Sequence, residues 1–477
     1  MILIILTVSA LLRLINLNQS LWLDEAINVN AASTLRLKEL VLGYSLGDFH
    51  PPFFHAILRG WILLFGTSEV SVRLPSVILG IGCVFMTYLI AKKLFEEKTA
   101  LVAATLLATS PLHIYYSQEA RMYMLAAFLA SCSVYFFISV IKKDSLPLWF
   151  GFIISTALLL YVDYLPYLLI PTYIIYLSIF RRKIPKSTFI SFFPALILVF
   201  FLLIPWLIIF PKQLAAGLSA SAASPAWSQV VGAANFKDFL VAFVKFTIGR
   251  ISSDNNFVYG LFFTPVGMYI LFLSLLSFFR LSPQRVFFWF WFIFPTILSF
   301  AIAFFIPIFA YFRLIFVLPA LSIILASGIT TVNWVKLNRI LLSIMLLINL
   351  GSSIIYFGNT KFQRENWKNA TKFIEANSTD KTIVLFELNY SMAPFDYYNK
   401  SKIEAYGVLD SFNPDPQKVA QNVKSLTGGK DKVFLFQYLS QITDPRGLAF
   451  EHIAMEGFKN TSTSNFEGIG FIYEFEK

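Results

Sequence analysis

The sequence predicts an α-helical polytopic membrane protein, with about 11 transmembrane helices and some interfacial helices, followed by a small C-terminal α/β soluble domain. Three observations carry this. Of 477 residues, 57% are hydrophobic and 52 are Phe, and the mean hydropathy is +0.68. Charged residues are 14% of the chain, against roughly 25% in soluble domains. The cations gather in short loops between apolar runs, so the formal charge of +11 follows membrane topology rather than marking a nucleic-acid-binding face.

A spanning helix needs about 20 mostly apolar residues. The runs that qualify are 2–17, 70–91, 99–112, 121–141, 147–163, 165–180, 188–210, 259–279, 286–306, 309–330 and 338–357. The first has no basic leader and no small-residue cleavage site, and reads as a retained signal anchor. The stretch 147–180 reads as a hairpin or a broken helix. Basic residues fall in every second loop: Lys92, Lys93 and Lys98; Lys142 and Lys143; Arg181, Arg182, Lys183 and Lys186; Arg280 and Arg285; Lys336 and Arg339. These loops face the cytoplasm, which gives a multi-pass plasma-membrane protein with its N-terminus inside.

The segments 18–69, 113–120 and 211–258, and everything from 358 on, then lie outside. Asn-x-Ser/Thr sequons at Asn18, Asn369, Asn377, Asn389, Asn399 and Asn460 all fall on that side. Residues 22–42 and 51–65 are too apolar for free loops. They read as helices lying in the interface, with Trp22 and Trp61 at headgroup level.

Composition divides the chain into a transmembrane domain, 1–357, and an extracytoplasmic domain, 358–477. In the second, 366–377 and 416–426 read as helices, and 382–386, 433–436 and 468–475 as strands. The alternation suggests an α/β fold. It contains no glycine-rich phosphate loop. Cys83 and Cys132 lie in apolar runs and offer neither a disulfide framework nor metal spacing.

Chemistry is expected at the outer boundary. Asp24 and Glu25 are adjacent carboxylates just after the first apolar run. They suit a general base and a helper that positions it, or the first turn of a helix. His50, before Pro51-Pro52, suits a phosphate or an acceptor, or simply begins a helix. Tyr115, Tyr116, Glu119 and Arg121 share the next outer loop. Arg121 could hold phosphate and Glu119 an acceptor, sugar or metal ion, unless the two form an ion pair. Lys245, Arg250 and Arg313 are phosphate ligands or snorkelling anchors. Asp163 marks an outer turn and is a loop residue or part of the cavity.

Taken together and in order, Asp24-Glu25, His50-Pro51-Pro52 followed by 53–65, Arg73-Leu74-Pro75 within 69–79, and Ser117-Gln118-Glu119-Ala120-Arg121-Met122-Tyr123 resemble a family. It is the branch of C-superfamily membrane glycosyltransferases related to protein O-mannosyltransferases and the lipid A aminoarabinose transferase. The resemblance is strongest over 1–130 and loosens through Arg313-Leu314 to Pro319. It implies a polyprenyl-phosphate sugar as donor and an external acceptor (protein, lipid or glycan). It also implies a catalytic acid at Asp24 with Glu25 as its neighbour. Asp163 departs from the pattern, because relatives carry His near this turn. The expected reaction is an inverting single displacement that needs no nucleotide cofactor; a divalent cation is compatible with it. The rival expectation is a flippase or transporter of a lipid-linked sugar. Such proteins often show repeated halves, and no internal repeat is visible here.

Overall fold

The computed structural model describes residues 1–223, 232–279, 282–411 and 414–477. Arg280, one of the charges that set the expected topology, lies outside them. Among the described residues seven helices are long and apolar enough to cross a membrane: Glu69–Leu94, Tyr123–Lys142, Lys186–Leu207, Asn256–Phe278, Arg285–Ile302, Tyr311–Thr331 and Val335–Gly358. Four other apolar helices are shorter: Ile2–Leu14, Phe53–Phe65, Leu146–Leu160 and Leu165–Ile179. Every expected run is therefore helical. Those at 2–17, 99–112, 147–163 and 165–180 give elements of fewer than 18 residues, and the last two are separate helices joined by a turn at 161–164.

Local chemistry sets the helix ends. Ser68 caps Glu69–Leu94 by accepting from Ser71 N, and Lys92 and Lys93 sit in its last turn, where cations suit the helix dipole. Ser110 caps Pro111–Ser117, with Pro111 in the first turn. Asn255 caps Asn256–Phe278 by accepting from two backbone amides.

Exposure separates lipid-facing from central helices. Leu318–Thr331 is buried from Leu318 through Ile329, so it is the axis of the bundle. Asn256–Phe278 exposes Leu261, Phe262 and Met268, and Val335–Gly358 exposes Leu347 and Ile354, as apolar surface facing lipid does.

The long outer segment holds two helices that the pattern did not reveal, Phe210–Ala223 and Phe236–Ile248. The stretch 22–42, expected as an interfacial helix, is a helix only in part. Helix α1 (Ile2–Leu14) leads to α2 (Leu23–Thr34), after which the chain makes only short turns to Asp48. Most of α2 is buried. Leu23 packs in one cluster with Trp367, Ile374 and Phe395 of the C-terminal domain, so protein rather than headgroups covers it.

That domain has a five-stranded mixed sheet in the order β2-β1-β3-β5-β4. The strands are β1 Thr382–Leu388, β2 Ala405–Leu409, β3 Lys432–Phe436, β4 Lys459–Phe466 and β5 Gly470–Glu476. β1 is parallel to β2 and β3, while β5 runs antiparallel to β3 and β4. Every residue of β1 is buried, as its nearly continuous apolar run requires of a strand covered on both faces. One face of the sheet packs Ile383, Leu385 and Val433 with Val419 and Ile453. The other packs Val384, Phe386 and Phe436 with Trp367 and Ile374. The domain bonds directly to the outer segments: Tyr398 Oη accepts from Leu21 N at 2.9 Å, Asn30 Nδ2 donates to Ala393 O at 3.0 Å, and Lys368 Nζ meets Glu69 at 3.1 Å.

Candidate active site

Asp24 and Glu25 both occupy the first turn of α2, where the helix dipole favours carboxylates. Successive residues of a helix point about 100° apart, and these two have different fates. Glu25 turns inward and is fully buried. Arg73 donates to it twice, Nε to Oε1 at 2.9 Å and Nη2 to Oε2 at 2.5 Å, and Ala120 N donates to Oε1 at 2.8 Å. The remaining Arg73 donors hold the carbonyls of Leu17, Gln19 and Ser20. Burial opposes ionisation of Glu25, but Arg73, Arg364 and the Ala120 amide outweigh it and hold the carboxyl below its ordinary range. The pairing of Glu25 with Asp24 in catalysis is therefore corrected. Glu25 is an anchor that fixes α2, and Arg73 is the partner that anchors it.

Asp24 turns the other way, and its side chain is 35% exposed. Its ion-pair partner is Arg121, with Nη2 at 3.5 Å from Oδ2. The Nη1 of Arg121 is 3.4 Å from Asp48 Oδ1. The guanidinium thus bridges two carboxylates, and its buried Nε has no partner. Flanked by two negative charges, Arg121 organises acids; the phosphate role expected for it is not what this geometry provides.

Asp48 is the residue that sequence reasoning missed. It is buried, with His50 Nδ1 at 3.0 Å and His55 Nε2 at 3.2 Å from Oδ2. Burial opposes its ionisation, yet His55, His50 and Arg121 hold the carboxyl well below the usual range. Phe49 adopts φ +61°, uncommon for a bulky residue, and this sharp turn lets the His50 ring fold back onto Asp48. The His50 carbonyl accepts from Gln213 Nε2 at 3.1 Å, and Gln213 also bonds Tyr164. His50 is therefore locked to an acid. The signal for Asp48 was present: a further acid in the same outer loop, two residues before His50.

Glu119 is fully buried and pairs with Arg364 Nη1 at 2.6 Å, while its Oε1 has no partner. Burial raises its pKa, Arg364 opposes that, and Glu25 adds to it. The expected alternative of a Glu119–Arg121 pair does not form; Arg364 takes that place. Tyr115 accepts at its hydroxyl from Arg250 Nη1 at 2.7 Å and from Arg364. Tyr116 packs against Tyr123, with ring centroids 5.0 Å apart, and stacks on Phe312 at 5.9 Å.

Among the expected phosphate ligands, Arg313 follows Phe312 directly. Its guanidinium makes no hydrogen bond or ion pair among the described residues, and its buried Nε is unpartnered. Arg313, Arg121, Glu119 and Asp24 all lie within charge range of the Tyr123 hydroxyl. Arg250 is exposed and steadied by Tyr115. Lys245 is buried, and its Nζ donates to the carbonyls of Ile251 at 2.5 Å and Arg250 at 3.4 Å. Burial, then the neighbouring Arg250 charge, lowers its pKa to about 8. It holds the loop that presents Arg250 and does not itself reach the site. Asp163 accepts from Tyr164 N at 2.6 Å within its own turn and is apart from the acids. Among the described residues, no group of three His, Cys, Asp or Glu is placed to hold a metal ion, and Asp24 and Asp48 are already bridged by a guanidinium.

Comparison with known proteins agrees with this architecture. The family described as "Dolichyl-phosphate-mannose-protein mannosyltransferase" matches residues 49–209. The Bacillus subtilis (strain 168) protein named "Putative mannosyltransferase YkcB" is 24% identical over 223 residues, which cover 43% of this chain and 30% of that protein. ArnT from Cupriavidus metallidurans in the apo state superimposes with a TM-score of 0.61 at 12% identity, over 99% of this chain and 97% of that one. Its structure bound to undecaprenyl phosphate gives 0.58 at 11% identity, over the same shares. The apo oligosaccharyltransferase of Archaeoglobus fulgidus gives 0.56 at 11% identity, over 92% of this chain and 70% of that one. The chain thus shares the fold of these membrane enzymes over nearly its whole length, and its residues 49–209 match the mannosyltransferase family.

Proposed function

We propose that the protein transfers a sugar from a polyprenyl-phosphate donor to an acceptor on the outer face of the membrane, by a single displacement that inverts the anomeric carbon. One observation carries the choice of base. Of the four carboxylates in the cluster, Asp24 is 35% exposed, while Glu25, Asp48 and Glu119 are 0%, 10% and 0% exposed. Only Asp24 can meet an acceptor without breaking a buried pair.

In this reading the acceptor hydroxyl gives its proton to Asp24 as its oxygen bonds to C1. The bond from C1 to the phosphate oxygen breaks, and its electron pair leaves with the polyprenyl phosphate. Arg313, with Arg250, stabilises that departing charge. Fixed cations in a site shielded from water act strongly on such a leaving group. Arg121, braced by Asp48, holds Asp24 in place. The isoprenoid tail needs an apolar path beside the cations. An apolar cleft of about 230 Å³, lined by Phe290, Ile293, Phe294, Ile297, Leu298 and Ala301 on the helix that precedes Arg313, is the surface we propose for it.

A general base contributes about 10²–10⁴-fold. Asp24→Asn should therefore lower turnover of purified protein by that factor in an assay against a panel of polyprenyl-phosphate sugars, beginning with mannose. Undecaprenyl-phosphate binding should persist. Wild-type turnover by this variant would remove Asp24 from the role.

A further inference from the structure

The short segment between the last membrane helix and the C-terminal domain enters the site. Arg364 is 2% exposed. Its backbone N donates to Gln19 Oε1 at 2.9 Å, its Nη1 donates to Glu119 at 2.6 Å, and its Nη2 donates to the Tyr115 carbonyl at 3.2 Å. The guanidinium carbon lies 3.7 Å from the centroid of the Tyr115 ring. Without Arg364, Glu119 would be a buried carboxylate that has lost its direct ion-pair partner, which is strongly destabilising.

Glu365, the next residue, points to the other side. Its Oε2 accepts from Trp367 Nε1 at 2.7 Å and from Leu23 N at 3.4 Å, and its Oε1 accepts from Tyr438 Oη at 2.9 Å. Leu23 is the first residue of α2, so its amide is one of the donors that a helix start leaves unsatisfied. Trp22, the capping residue, supplies no side-chain bond. The cap of the helix that carries Asp24 thus comes from the other domain. Lys368 adds a bond from its backbone N to Ser20 Oγ at 3.1 Å. Mere docking would need only surface contact, whereas this segment sends a buried cation and a half-buried carboxylate into the two elements that build the site.

We infer that Arg364 and Glu365 are positioning residues of the active site: Arg364 fixes Glu119 and Tyr115, and Glu365 fixes the first turn of α2 and with it Asp24. The inference rests on the reading of Asp24 as base. The C-terminal domain then completes the site instead of serving as a separable module.

Hydrogen–deuterium exchange on the full chain in nanodiscs tests this without substrate. Glu365→Ala, which removes both acceptor oxygens, should raise exchange within residues 21–30 by roughly tenfold, the scale of a lost helix cap, while Leu318–Thr331 is unchanged. Tyr438→Phe should move the same peptide less. Arg364→Gln should expose residues 111–122, and Arg364→Lys, which keeps the charge, should restore most of that protection.

A pH series adds a readout that shape alone would not move. Burial, partly offset by the Trp367, Tyr438 and Leu23 donors and reinforced by the Asp24 charge, pushes the Glu365 carboxyl up to about 7. After correction for intrinsic rates, wild-type exchange in 21–30 should rise between about pH 5 and 7, and Glu365→Gln should flatten it. Unchanged protection of 21–30 in Glu365→Ala, or a loss spread evenly over the chain, would overturn the inference. Asp24→Asn is run in parallel with undecaprenyl-phosphate mannose as probe. If it turns over normally, the base assignment fails, while the exchange pattern still reports separately on α2.

Discussion

At the scale of single residues, the site sorts charged groups by what already holds them. Glu25, Glu119 and Asp48 are matched to Arg73, Arg364, and Arg121 with two histidines. Asp24, the exposed Arg250 and the guanidinium of Arg313, which has no hydrogen-bond or ion-pair partner among the described residues, remain available for chemistry. A hydrogen bond to a charged group is worth about 1.5–3 kcal/mol. Arg313→Ala should therefore raise the donor KM roughly ten- to hundredfold in steady-state assays, with a smaller loss in kcat. An unchanged KM would place the phosphate elsewhere. The sequence made Asp24, His50, Glu119 and Arg313 legible as polar residues at apolar boundaries. It could not show the partners. Arg73 sits inside a membrane helix and Arg364 lies in a linker 245 residues beyond Glu119, so neither pairing has a local signature. The exposure that separates Asp24 from Glu25 arises only once α2 is packed.

At the scale of elements, long apolar runs with basic ends were readable because membrane helices must satisfy their own backbone and carry cations at the inner boundary. The helices Phe210–Ala223 and Phe236–Ile248 were not, because mixed polar composition in a long outer segment mimics a loop. In the C-terminal domain, β1, β3 and β5 were visible as apolar runs. β4 was missed because its residues are largely exposed, and β2 because it is a five-residue strand with only Val408 and Leu409 buried. Helix contact also depends on single small residues. A Cβ placed on Gly328 would lie 2.1 Å from the Leu273 carbonyl oxygen, so Leu318–Thr331 meets Asn256–Phe278 at a glycine. Overpacking a tight contact costs about 1–3 kcal/mol. Gly328→Ala should lower the midpoint of thermal unfolding in detergent by several degrees, whereas Gly351→Ala, with open space around its Cβ, should not.

At the scale of the whole molecule, the two domains are one working unit. The composition changes where the last apolar helix ends at Gly358, and bonds from Glu365 and Lys368 continue across that point to Leu23 and Ser20. The C-terminal domain holds a second buried acid, Glu387, whose carboxyl is pushed up to about 8 by burial, with Thr443 opposing and Asp444 adding to the shift. A carboxyl raised from its ordinary 4.5 binds more protons when folded than when unfolded. Its stabilising effect is full below about pH 4.5 and is lost as pH rises through about 8. The melting temperature of the domain should accordingly fall between about pH 6 and 8.5, and Glu387→Gln should flatten that slope in a scanning fluorimetry series.

In the proposed mechanism Asp24 stands on the attacking side of the sugar, with the polyprenyl phosphate held by Arg313 on the other. The most direct test is a cryo-EM structure of the full chain with a non-transferable polyprenyl-phosphate sugar analogue. The expected structure has an Asp24 carboxylate oxygen within reach of an acceptor hydroxyl aligned with C1, and a phosphate oxygen on the Arg313 guanidinium. A sugar seated against Asp48 or Glu119, with Asp24 turned away from C1, would contradict it.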